Sequence, residues 1–91
     1  MIPKVSGRPE PRNLRITANA GGTVVVAWDP PPDHTPIGYD VIILGKVKAV
    51  IEPYEMIFNM IPGVLFYIGV RTRLPDGSVS VIVYIPVIPK L

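Results

Sequence analysis

His34 is the only histidine of the chain and sits in Pro32-Asp33-His34-Thr35-Pro36, flanked by an acid and a hydroxyl. Those side chains are the ingredients of nucleophilic catalysis. That chemistry, however, needs hydroxyl, imidazole and orienting carboxylate in one hydrogen-bonded line, usually brought from separate parts of a fold. Immediate neighbours in a loop do not supply that line, so His34 reads as an exposed loop residue and no catalytic set is assigned. Zinc needs three or four ligands, and a chain with one histidine and no cysteine lacks the usual donors. Asp29 and Asp33 with loop carbonyls are a conceivable calcium set, but their spacing matches no dedicated calcium loop. Glu52 and Glu55 flank Pro53 and read as solubilising charges at a strand entrance. There is no glycine-rich phosphate loop opening a helix. The expectation is therefore no metal, no cofactor, no small-molecule substrate and no enzyme.

Nucleic acid is excluded on similar grounds. Nine Lys plus Arg stand against seven Asp plus Glu, a balance too even to attract a polyanion without local clustering. Arg12 and Arg15 belong to the first strand and Arg71 and Arg73 to the sixth, and those strands are expected in opposite sheets, so the four form no single basic stripe. The absence of cysteine rules out a disulfide framework, and stability must come from packing. Twelve prolines, abundant isoleucine and no glutamine resemble heat-adapted chains with stiffened loops. Residues 1–9 lack the apolar core of a secretory signal, and no stretch has the length of a membrane span. If this is the whole translated chain, export by the general secretory route is not expected; a domain cut from a longer secreted protein would look the same.

What positions any of these residues is a set of alternating strands. Helical periodicity is absent, and turn residues recur every eight to twelve positions. The pattern predicts seven strands. The first covers residues 13–18, with Leu14 and Ile16 on one face, and Ala20-Gly21-Gly22 makes a tight turn. The second covers 23–28 with Val24, Val26 and Trp28 inward, and ends in Asp29-Pro30-Pro31-Pro32. The third covers 37–44 with Ile37, Tyr39, Val41 and Ile43 inward, and 47–51 is a short fourth. A fifth at 54–60 points Ile57 and Met60 to the core. After Ile61-Pro62-Gly63 the sixth covers 66–72 with Phe66, Ile68 and Val70 inward, and Leu74-Pro75-Asp76-Gly77 turns into a last strand at 78–85.

These residues resemble the fibronectin type III family. The carriers are Pro11-Arg12-Asn13-Leu14, the run Val24-x-Val26-x-Trp28-Asp29-Pro30-Pro31, Tyr39 and Val41, and Met60-Ile61-Pro62-Gly63-Val64-Leu65-Phe66-Tyr67-Ile68-Gly69-Val70, in family order over residues 9–85. The resemblance implies an all-β, immunoglobulin-like, seven-stranded antiparallel sandwich, with residues 1–8 an extended arm and 86–91 a proline-rich apolar tail. One departure stands out: Phe66 occupies the place of the corner tyrosine whose hydroxyl bonds back to the backbone. Tyr67, one residue later, should face solvent. The Arg-Gly-Asp tripeptide that some members use for adhesion is absent.

What exceeds an ordinary solvated surface is apolar. With the inward sets above, Ile42, Leu44 and Tyr67 face out, and in the last strand, apolar on both faces, Ile82 and Tyr84 are the expected outward pair. The third, sixth and seventh strands of this fold share a sheet, so these five residues form one outer patch of a size that marks an interface. Pro86-Val87-Ile88-Pro89-Lys90-Leu91 cannot continue a central strand, because proline removes a ladder donor. Val87 and Ile88 are therefore candidate contacts of an arm that folds back locally or docks on a neighbour. The expected role is a structural or protein-interaction module: a small assembly subunit, such as a decoration, tail or fibre component of a phage virion, located in the assembled particle. The alternative is an adhesion or spacer module from a longer extracellular protein or carbohydrate-active enzyme.

Overall fold

A computed structural model describes residues 9–91, and the expected arm at 1–8 lies outside them. Seven strands follow in chain order: β1 (Arg12–Ala20), β2 (Thr23–Asp29), β3 (Gly38–Ile43), β4 (Lys46–Val50), β5 (Tyr54–Ile57), β6 (Phe66–Arg73) and β7 (Val83–Val87). They form two antiparallel sheets, one ordered β1-β2-β5 and one ordered β4-β3-β6-β7. The β-branched runs explain the strands, since such side chains pack well on a pleated, half-buried surface. The inward sets meet between the sheets: Val24, Val26 and Trp28 of β2, Tyr39 and Val41 of β3, and Phe66, Ile68 and Val70 of β6 are all buried. Trp28 stands edge-on to Tyr39, with ring centroids 5.3 Å apart and planes at 71°, an arrangement the aromatic quadrupoles favour.

Two hairpins turn on two residues each. Gly21 and Gly22 (φ 62° and 75°) join β1 to β2, and Leu44 and Gly45 (φ 51° and 75°) join β3 to β4. Both loops carry the paired positive φ that matches the twist of the flanking strands. Glycine suits such a place; leucine does not.

Several boundaries differ from the alternation. Ile37 lies outside β3 and is 58% exposed. β5 stops at Ile57, because Asn59 turns left-handed (φ 58°); Met60 nonetheless reaches the core, with its N–H donating to the Gly22 carbonyl at 2.9 Å. The last strand is displaced most. Val79 only bridges Arg73, whereas the ladder proper pairs Val70 with Val83, a shift of one residue. Ser80 causes it: Thr72 N–H donates to Ser80 Oγ at 2.9 Å, and that hydroxyl donates to the Val81 carbonyl at 2.8 Å, so the chain bulges at 81–82.

The expected tail is also corrected. β7 runs through Pro86 to Val87, which is tolerated because β7 is an edge strand. Beyond it the chain is pinned to the β1–β2 end. The Asn19 side chain donates to the Ile88 carbonyl at 3.0 Å and accepts from Lys90 N–H at 2.8 Å. Gly22 N–H bonds to the Lys90 carbonyl and Gly63 N–H to that of Pro89.

Candidate interaction face

β3, β6 and β7 place the outer patch by their register. Val47 of β4 pairs with Ile42, Ile42 with Gly69, and Gly69 with Tyr84, so one row crosses all four strands. Side chains opposite one another in an antiparallel pair share a face. The neighbouring row holds Tyr67 beside Pro86, with Leu44 at the β3 end. Gly69 is the hub, since a Cβ there would lie 2.7 Å from Ile82 Cγ2 and 2.8 Å from Tyr84 Cε1. The bare glycine thus lets Ile82 and Tyr84 lie down on β6 and meet each other. Tyr67 is 58% exposed, Tyr84 55% and Leu44 79%; Ile42 and Ile82 are half-buried. The structure therefore brings Ile42, Tyr67, Ile82 and Tyr84 onto one face, with Leu44 in the hairpin loop at its rim, and adds Val47, which pairs opposite Ile42 and was not singled out from the sequence.

Val87 does not belong to this face. It is 6% exposed and packs in the core opposite Phe66, because β7 continues one residue past the proline. Ile88 is exposed, but its carbonyl is held by Asn19, so it is part of the domain end and not a free arm.

At its other end the face becomes charged. Asp40 alternates outward from Tyr39 and Val41 yet is 1% exposed, covered by two guanidinium groups. Arg71 Nε donates to Asp40 Oδ2 at 2.8 Å, and Arg73 reaches both carboxylate oxygens at 3.2 Å. The register predicts this cluster, as Asp40 pairs with Arg71 directly, but pairing is not visible in one strand read alone. An apolar centre beside a satisfied polar rim is the anatomy of a protein contact surface.

The other candidates disperse. β1 and β6 lie in different sheets, so Arg12 and Arg15 stand apart from Arg71 and Arg73. Asp29 is held by Asn13 and Arg15, both at 3.2 Å, and these hydrogen bonds keep its carboxyl below the usual carboxylate range. Glu55 pairs with Lys48 across the sheets instead of with Glu52. His34 is half-buried, a correction to its reading as exposed, and its Nε2 meets no hydrogen-bond partner among the described residues. Among the described residues no three His, Cys, Asp or Glu side chains group as metal ligands.

No family model and no curated protein sequence matches the chain. Solved structures do. The chain is similar to part of a chitinase from Bacillus thuringiensis (TM-score 0.80, 15% identity, 98% of this chain) and of a family 28 exopolygalacturonase from Yersinia enterocolitica (TM-score 0.77, 16% identity, 89% of this chain). It spans only 15% and 20% of those two proteins. It is also similar to the fn3 domain of human collagen α-1(XX) (TM-score 0.74, 19% identity), covering 98% of this chain and 91% of that one. With its strand order, its core tryptophan at the end of β2 and these likenesses, the chain has the fold of a fibronectin type III domain, a divergent one with phenylalanine at the corner position.

Proposed function

We propose that this domain is a non-enzymatic protein-interaction module whose contact surface is the outer face of the four-stranded sheet. The observation that carries the reading is Leu44: a large apolar side chain, 79% exposed, on a left-handed backbone that costs an L-residue about 1–2 kcal/mol. Among the described residues the other two non-glycine positions with positive φ are both asparagine, which tolerates it. A strained, solvent-facing leucine at the rim of this face is explained by what it would touch in a complex. Tyr67 and Tyr84 serve as anchors, because rigid amphipathic rings bury large area for little lost freedom.

In its specific form the proposal is a small assembly subunit that buries this face against an identical or different subunit of a larger particle, of the virion decoration, tail or fibre kind. A second reading, spacer or accessory module of a longer carbohydrate-active protein, is favoured by the likeness to segments of a chitinase and an exopolygalacturonase. Light scattering after size exclusion over a concentration series, with and without Tyr67→Glu, separates them. A defined oligomer dissolved by that substitution supports assembly. A monomer at every concentration overturns self-assembly through this face and leaves the second reading.

A further inference from the structure

An antiparallel sandwich must guard its four edge strands, since each presents unpaired backbone groups to any passing strand. Three edges here carry a guard. β1 is broken by register shifts between Arg12 and Arg15 and between Ile16 and Ala18. β7 carries Pro86, and β4 carries Lys46 and Lys48. β5, at the open edge of the three-stranded sheet, has no proline, lysine or bulge. Its one charge, Glu55, is turned inward to Lys48.

The backbone of β5 is oriented to accept a strand. Trp28 N–H donates to the Pro53 carbonyl at 3.1 Å, which fixes the phase of the β2–β5 ladder. Alternation from that pair directs the polar groups of Glu55 and Ile57 toward β2, and those of Tyr54, Met56 and Phe58 toward the open edge. Tyr54, Met56 and Phe58 are also the residues whose side chains are exposed. Beside them a groove of about 370 Å³ opens between the β4 and β5 edges, lined among others by Ile43, Leu44, Val47 and Ile57.

We propose that the β5 edge pairs antiparallel with β5 of a second copy of this chain, about a two-fold axis at Met56, joining two three-stranded sheets into one of six strands. The sequence is self-complementary in that register. Met56 faces Met56 of the second copy through a hydrogen-bonded pair, and Tyr54 faces Phe58 of the second copy, the residue that follows β5, on both sides of the axis. Aromatic cross-strand pairs are among the more favourable. Glu55 and Ile57 of the second copy then lie on the groove side of the joined sheet, each Glu55 keeping its own Lys48. The three half-exposed side chains, the edge backbone and the groove mouth bury on the order of 1,000 Å² in all, the lower limit for a specific interface, so the dimer is weak. This surface shares Leu44 and Val47, at the groove mouth, with the outer face of the four-stranded sheet, but not Tyr67, Ile82 or Tyr84.

The absence of cysteine makes the register directly testable. Facing residues in a hydrogen-bonded antiparallel pair have Cα atoms about 5.5 Å apart, within disulfide reach. Met56→Cys should therefore oxidise to a linked dimer, about tenfold faster or more than Phe58→Cys or Tyr54→Cys alone, whose own copies lie roughly 13 Å apart. A mixture of Tyr54→Cys and Phe58→Cys chains should link to each other. Met56→Pro removes an outward N–H without touching the β2 ladder; it should leave the thermal midpoint near that of the parent and abolish the dimer. Equal linking rates for the three single thiols, or a dimer that survives Met56→Pro, overturns the proposal. Because Tyr67→Glu leaves β5 intact, failure here is distinguishable from failure of the sheet-face reading.

Discussion

Replacing Leu44 by asparagine should make this domain more stable and less sociable at once. Leu44 occupies the first position of a two-residue hairpin loop at φ 51°, next to Gly45 at φ 75°. An L-residue there loses about 1–2 kcal/mol to the clash of Cβ with the carbonyl that follows, whereas asparagine visits this region readily and Asn-Gly is the preferred loop. Little burial is forfeited, because the side chain is 79% exposed. The net expectation is a gain of about 1 kcal/mol, which for a domain of this size raises the thermal midpoint by roughly 4–8 °C. In a complex the same leucine is covered, and its loss removes about 2 kcal/mol of apolar burial, weakening association about thirtyfold. Thermal unfolding followed by circular dichroism reads the first quantity. Light scattering over a concentration series reads the second, on a Met56→Pro background so that only the sheet face contributes. A lowered midpoint would refute the reasoning, since Leu44 would then be stabilising its own hairpin and would need no partner to explain it. A raised midpoint with unchanged association would refute the interface half alone.

Thr72 offers an independent check on packing. It is fully buried and its Oγ1 has no hydrogen-bond partner among the described residues, while its backbone N–H is served by Ser80. An orphaned buried hydroxyl costs about 1–3 kcal/mol, so Thr72→Val should raise stability to denaturant by about 1 kcal/mol with an unchanged slope. Trp28→Ala should do the opposite: the ring is 1% exposed and packs on Tyr39, and its cavity should cost about 3–5 kcal/mol. A loss below about 1 kcal/mol would mean that the two sheets collapse to fill the space.

Legibility differs along the chain for identifiable reasons. Apart from Ile37, which falls before β3, the inward sets of the second, third and sixth strands could be read from alternation because a period-2 pattern with one buried face admits a single register, and a slip would expose every core residue at once. Trp28 next to a proline block and Phe66 four residues after Pro62 held their places on that basis. The outward position of Tyr67 follows from the same rule. No such constraint acts on the last strand, which is apolar on both faces. There one serine hydroxyl, bonded to the opposite backbone, decides where the bulge falls and so brings Val87 into the core.

Pairings between strands distant in sequence also escape a linear reading. Asp40 with Arg71 and Arg73, the Ile82–Tyr84 platform over Gly69, and Asn19 clamping the chain end all join residues more than ten positions apart. Local alternation states which face a side chain occupies. It does not state what lies across the gap, because that depends on sheet order and register, which are set by the packing of the whole core. Strand existence, core composition and the outward apolar residues are thus properties of the amino-acid order. The continuity of the outer face, the strain stored at Leu44 and the open β5 edge exist only once the two sheets have closed on each other.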